Sequence, residues 1–286
     1  MEHLYQIAYS AKNHYEEIVT EAIWQFLILP MENESQRMVK WSFQNSLYAR
    51  HHSSTNGLGF TTIRLHPKHN FLEIGFDFEC ELIKKERNPF DFLPNLDLKD
   101  DYKKIDSLFF KADNEIYLRR TALSSLPYAH KSIFIFDRSL PLFNNLQDLN
   151  DWVYHHLYFT IGATNVTTPL EEIIKKRQGV CQDFTHLFCA ISKENGIPSR
   201  YVSGYIHQGN NYFGDLQMHA WAEVLLPDIG WVGFDPTNNI LVAQNHIKVC
   251  HGKDYNDCSP LRGIVYTKGA NETEYLVKVQ SSQLQQ

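Results

Sequence analysis

The chain has 286 residues, enough for two modest domains, and its 43% hydrophobic and 13% aromatic content builds a packed core and excludes a disordered polymer. A formal charge of −6 at pH 7 leaves no basic excess, which excludes the electrostatics that nucleic-acid binding requires. No run approaches the roughly eighteen apolar residues of a membrane span, Met1 to Tyr9 has neither the basic nor the apolar region of a leader, and the five cysteines form an odd set without framework spacing, so a cytoplasmic protein with no membrane partner is expected.

Residues 1–92 read as strands. Trp41 to Leu47 and Phe60 to Leu65 are candidates bounded by Asn, Ser, Gly and Pro, and Leu72, Ile74, Phe76, Phe78, Cys80 and Leu82 alternate with mostly polar neighbours. An antiparallel β-sandwich is the expectation. The stretch from Asn88 to Asn95, with Pro89 and Pro94, breaks the periodicity and marks the passage to a second domain over 93–286. There, Leu146, Leu149, Val153, His156 and Leu157 recur at helical spacing. His51, His52, His66 and His69 lack the H-x-x-x-H or C-x-x-C spacing of a zinc site and read as loop histidines, so neither metal nor cofactor is expected.

Further along, Thr168-Pro169-Leu170-Glu171 reads as an N-cap, a proline at the first helical position and the returning glutamate of a capping box, which predicts a short helix to about Lys176. Gln178-Gly179 interrupts it. From Cys181 the apolar residues Phe184, Leu187, Phe188 and Ile191 return at helical spacing until Gly196-Ile197-Pro198. Cys181 therefore falls in the first turn of a buried helix, where unpaired N–H groups and the positive end of the macrodipole favour a thiolate and could hold an oxyanion. Met218 to Leu226 and Trp231 to Asp235 alternate as strands about the short connection Pro227-Asp228-Ile229-Gly230, and predict an antiparallel hairpin. Any register pairing odd with odd positions puts His219 and Asp235 on one face, about two residues apart. Singly, each has a structural reading: a buried thiol, a strand histidine, an aspartate in turn chemistry before Pro236. Together, a cysteine at a helix start with an imidazole and a carboxylate on neighbouring strands is the constellation that activates a thiol.

The ordered series Thr164-Asn165-Val166-Thr167-Thr168, Gly179 to Leu187, Gly196 to Tyr205, His219 to Val224, Gly230 to Asn238, His246 to Val249 and Gly252 to Asp257 resembles the transglutaminase-like superfamily, specifically its bacterial branch with a separate N-terminal region. The resemblance implies a papain-like α+β core behind the sandwich, with Cys181 as nucleophile, His219 as base and Asp235 as its orienter. It also implies a peptide or protein substrate attacked at a peptide or carboxamide carbonyl through a thioester, with water as first acceptor and an amine as the alternative; a non-catalytic binding module on the same fold is the third reading. Tyr158 and Trp152 are candidate second donors to the oxyanion. Gln182 and Asp183 are expected to shape the helix start, and Trp221 to pack beside the site.

Overall fold

The computed structural model describes residues 1–91, 101–207 and 217–283; the expected boundary at 92/93 and residues 92–95 lie outside the described residues. Strands open the chain: β1 (Glu2–Val19), β2 (Glu21–Phe26), β3 (Gln36–Asn45), β4 (His51–Thr55), β5 (Thr61–Leu65) and β6 (Phe71–Lys85). Short helices α1 (Asp101–Asp106), α2 (Leu108–Asp113) and α3 (Glu115–Leu118) precede α4 (Leu142–His156), β7 (Tyr158–Phe159), α5 (Leu170–Lys176), β8 (Gln178–Gly179) and α6 (Cys181–Glu194). Then come β9 (Ser199–Ile206), β10 (His219–Leu226), β11 (Gly230–Asp235), β12 (Ile240–Leu241), β13 (His246–Gly252), α7 (Tyr255–Cys258), β14 (Leu261–Tyr266) and β15 (Asn271–Gln283). No helix among the described residues is long and apolar enough to cross a membrane.

The sandwich consists of two four-stranded sheets, ordered β15-β1-β6-β3 and β14-β2-β5-β4. Strict period-2 burial in β1, with Tyr5, Ile7, Tyr9 and Ala11 inward, matches that of Phe76, Phe78, Cys80 and Leu82 in β6. The sheets meet through aromatic rings, Trp24 with Phe76 at 5.4 Å and Phe26 with Phe76 at 4.7 Å. Leu72, expected inside, is exposed: the β1–β6 register shifts between His14 and Val19, and Phe71 takes the inward place. Each sheet takes one strand from the far end of the chain, β15 along β1 and β14 along β2. Residues 1–92 therefore do not complete the sandwich, because β1 and β2 would otherwise expose long unpaired edges.

The second layer is a five-stranded sheet, ordered β12-β11-β10-β9-β13. Helix α6 packs Phe184, Leu187, Phe188 and Ile191 into one core with Leu146, Leu149 and Val153 of α4 and Val224 and Phe234 of the sheet. Tyr201, Tyr205, Ile247 and Val249 instead join the core of the sandwich. The architecture is the expected α+β, a β-sandwich and a helix-covered sheet. At α5 the expected capping box is not formed: Pro169 takes the N-cap position, and the Thr168 hydroxyl accepts from the Asn165 N–H at 2.9 Å, closing the preceding loop instead.

Gly204 on β9 lies opposite His219 and also opposite Lys248 of β13. A Cβ there would stand 2.2 Å from the Ile247 carbonyl oxygen and 2.5 Å from the Trp221 ring. Gly204→Ala should therefore lower stability by about 1–3 kcal/mol through overpacking, read as a reduced Tm. An unchanged Tm would show that β9 and β13 separate freely at this point.

Candidate active site

Cys181 begins α6 because the segment before it is pinned in place. Val180 has no side-chain oxygen with which to cap the helix, and Asp183 serves from inside it: its carboxylate accepts the Val180 N–H at 2.7 Å and the Thr164 hydroxyl at 2.6 Å. Gly179 makes this possible, since a Cβ there would lie 2.6 Å from the Asp183 side chain. Burial raises the Asp183 pKa against those two bonds. Gln182 Nε2 donates to the Val166 carbonyl at 3.3 Å. Both side chains thereby tie the 164–166 loop to the helix start. The amides of Cys181 and Gln182 belong to the first turn, where no intrahelical acceptor exists.

The β10–β11 hairpin pairs Glu223 with Gly233 and Leu225 with Trp231, odd with odd, so His219 and Asp235 share a face. Their side chains meet, His219 Nε2 to Asp235 Oδ2 at 2.8 Å, and both are fully buried. Asp235 also performs the turn chemistry that an aspartate before proline suggests: Oδ1 accepts the Thr237 and Asn238 N–H groups at 3.1 and 3.3 Å. Oδ2 further accepts Asn238 Nδ2 at 2.8 Å and His246 Nε2 at 3.1 Å.

These contacts decide the charges. Burial alone would discharge the His219 ring, but the Asp235 carboxylate and its hydrogen bond, with a smaller contribution from Cys181, raise its pKa to about 10. Burial likewise opposes ionisation of Asp235, yet the two histidines hold its carboxyl well below the usual range. For His246 burial dominates and lowers the pKa. The cluster is therefore a carboxylate, an imidazolium and a neutral imidazole.

His246 is the member that sequence reasoning missed. It lies at the start of β13, and the carbonyls flanking it are held from the sandwich: Lys84 Nζ donates to the Ala243 carbonyl at 3.0 Å and to the His246 carbonyl. Burial lowers the Lys84 pKa to about 7, with Glu223 opposing that shift and Lys248 adding to it. The donor atoms of His219, Asp235 and His246 lie within 4.8 Å of one another. Metal ligands could be spaced so, but the separations of 2.8 and 3.1 Å are those of hydrogen bonds, which account for the cluster.

Cys181, half-buried, and His219 line one cavity of ≈ 570 Å³ together with Ser203 from the sheet, Met218 just before β10, the 161–166 loop, and Tyr9, Thr273 and Tyr275 from the sandwich. The ends of the chain thus reach the site, a contribution no local sequence signal announces. Trp221 packs edge-on against His246 at 5.2 Å, 1% exposed, and does not line the cavity. Neither do the two candidate oxyanion donors. Trp152 stacks on His156 at 4.3 Å and meets the tilted ring of Phe134 at 5.6 Å, because α4 turns that face toward the 134 loop. Tyr158 is 63% exposed beneath the Arg177 guanidinium, its strand pairing β8 through backbone alone.

Residues 137–236, which contain Cys181, His219 and Asp235, match the family model of the transglutaminase-like superfamily. An uncharacterized protein of Mycobacterium tuberculosis is 40% identical over 140 residues, 46% of this chain and 45% of that protein. A second, from Mycobacterium leprae, is 35% identical over 134 residues, 45% of this chain and 47% of its own length. The chain thus spans about half the length of these curated relatives. A protein-glutamine gamma-glutamyltransferase of Pseudomonas aeruginosa is 31% identical over 84 residues, 27% of this chain and 13% of that protein. The crystal structure of a protein from Cytophaga hutchinsonii described as a candidate cysteine protease superposes on 100% of this chain and 92% of its own, with a TM-score of 0.78 at 17% identity, so the whole fold is shared, sandwich included. Over residues 137–236 the chain is thus similar to the core of the transglutaminase-like superfamily.

Proposed function

We propose that this chain is a cysteine-dependent acyl-transfer enzyme acting on peptide or carboxamide bonds, with Cys181 as nucleophile, His219 as base and acid, Asp235 as orienter and water as acceptor. The observation that carries this reading is the division of the His219 ring. Nε2 is engaged by Asp235, Nδ1 has no other protein partner, and Cys181, which helps to raise the ring's pKa, lines the same cavity. A thiol that shares a cavity with a histidine oriented by a carboxylate has the proton carrier that nucleophilic chemistry at sulfur requires.

In the proposed reaction the Cys181 sulfur adds to the carbonyl carbon, and the oxygen takes up the electron pair. First-turn amides of α6 offer donors to that oxyanion. The Nδ1 proton of His219 then passes to the departing nitrogen as the C–N bond breaks, leaving a thioester. Neutral His219 next accepts a proton from water as the water oxygen attacks, and collapse releases the acid and the thiolate. Asp235 stays ionised throughout and holds the tautomer. The cavity walls support water as acceptor, since Ile161 is 79% and Val166 48% exposed there and solvent reaches them. Transfer to an amine is the second reading, favoured by the partial identity to the Pseudomonas gamma-glutamyltransferase. Free thiols at all five cysteine positions suit a reducing, cytoplasmic setting, which is part of the proposal.

Peptides and free amines incubated with the protein and analysed by mass spectrometry should show cleavage or loss of ammonia, without amine incorporation. Cys181→Ala should abolish all products while leaving the fold intact, since losing one sulfur costs at most about 1–2 kcal/mol of packing. Turnover retained by that variant would remove Cys181 from the mechanism.

Thiol reactivity tests the ion pair separately. At neutral pH iodoacetamide should alkylate Cys181 at least about tenfold faster in the parent than in His219→Ala. Equal rates would mean that the pair does not form.

The sign of the histidine shift gives a third test. A pKa raised to about 10 keeps His219 charged through the neutral range. The stability this contributes is complete below the ordinary histidine value of about 6.5 and is lost as pH rises through about 10. Asp235→Asn removes the charge that opposes burial, so the ring should titrate below about 6.5 when followed by NMR of its C–H protons. A midpoint still near the parent's would place the stabilising charge elsewhere.

A further inference from the structure

The cavity beside Cys181 is unusual in what its walls omit. Among the described residues that line it there is no Asp, Glu, Lys or Arg; apart from the reacting pair, the walls are aromatic, aliphatic or neutral polar. Four tyrosines dominate, and they come from separate parts of the fold. Tyr9 lies on β1 and Tyr275 on β15, with Thr273 two residues away on the same side of that strand. Tyr201 lies on β9, and Tyr255 opens α7 with its ring edge-on to Tyr201 at 6.4 Å.

This wall is built. Buried His186, on α6, fixes the backbone of Tyr255 by accepting its N–H at Nε2, 3.1 Å away. The Tyr255 hydroxyl accepts from Ser259 at 3.3 Å. Tyr9 is 5% exposed, whereas Tyr275 is 50% exposed and presents its ring to an occupant. Tyrosine faces give broad apolar contact with a hydroxyl as a polar handle. A charged side chain seated against these walls loses its water and, the reacting pair aside, meets no counter-charge among the described lining residues, which is unfavourable.

We propose that the acyl substrate seats a neutral apolar or aromatic side chain, adjacent to the attacked carbonyl, on this tyrosine wall, and that substrates with a charged side chain there are rejected. The inference rests on Cys181 being the nucleophile, as read above, and adds the substrate class. It also gives the sandwich a role at the site, since Tyr9 and Tyr275 belong to it.

The test uses peptidyl chloromethyl ketones identical except for the side chain beside the ketone, Phe or Leu against Asp or Lys. Each is reacted with the full-length protein and followed by intact-mass spectrometry. Iodoacetamide gives the intrinsic thiol rate for normalisation, and Cys181→Ala reports labelling at the remaining cysteines. The Phe and Leu probes should label Cys181 at least about tenfold faster than the Asp and Lys probes, and Tyr275→Ala should narrow that ratio. Equal rates, faster labelling by a charged probe, or an unchanged ratio in a folded Tyr275→Ala protein would overturn the proposal. If that variant does not fold, the ranking in the parent decides alone. Failure of iodoacetamide to label Cys181 at neutral pH would overturn the nucleophile reading, and this inference with it.

Discussion

The Asp235 carboxylate is the constraint around which the rest of the site is arranged. It is a fully buried charge, and such a charge persists only when it is surrounded by donors. Oδ1 closes the turn into Pro236 through the amides of Thr237 and Asn238, while Oδ2 gathers His219, His246 and the Asn238 amide. One carboxylate therefore shapes the end of β11, keeps one imidazole charged and holds a second, neutral one. Displacing any of these donors would leave buried polarity unanswered, which makes the arrangement all-or-none.

The two layers are joined by similarly buried polar contacts. Strand β13 is the edge of the five-stranded sheet, and the sandwich satisfies that edge. Gln36 accepts the Lys248 N–H at 3.1 Å through its amide oxygen and returns a bond from Nε2 to the Lys248 carbonyl at 2.6 Å. The Tyr205 hydroxyl donates to the Ile28 carbonyl at 2.7 Å, and Lys84 holds the carbonyls around His246. A second buried cluster lies further along the same strand as His219, where Glu223 is clamped by Arg200 and Lys248 at 2.6 Å each. Burial opposes its ionisation, but the two cations hold its pKa to about 2. The sandwich is thus a structural neighbour of the candidate triad through β13, and a wall of the cavity through β1 and β15.

Much of the site was legible because its signals are local. The break at Gln178-Gly179 followed by helical periodicity marks a helix start within a few residues, and the backbone there behaves the same whatever packs on it. Asp183 could be assigned to shaping that start because a carboxylate three residues into a helix reaches back to the N-cap amide. Trp152 and Tyr158 illustrate the opposite case. Their chemistry suits an oxyanion donor and their place in sequence is near the nucleophile, yet the direction of a side chain on a helix or a two-residue strand depends on what packs beneath it.

By itself, then, the sequence determined the strand character of the N-terminal segment, the helix that begins at Cys181 and the hairpin that carries His219 and Asp235, since each follows from periodicities and breaks within a short window, while the α+β class was implied by the family resemblance. Only the tertiary structure decided the odd-with-odd register, the recruitment of His246 to Asp235, the pairing of β15 with β1 and the gathering of Tyr9 and Tyr275 at the cavity. The physical reason is that these contacts join residues far apart in the chain. Their partners are selected by edge pairing and shared burial, and those choices are made only when the whole fold closes.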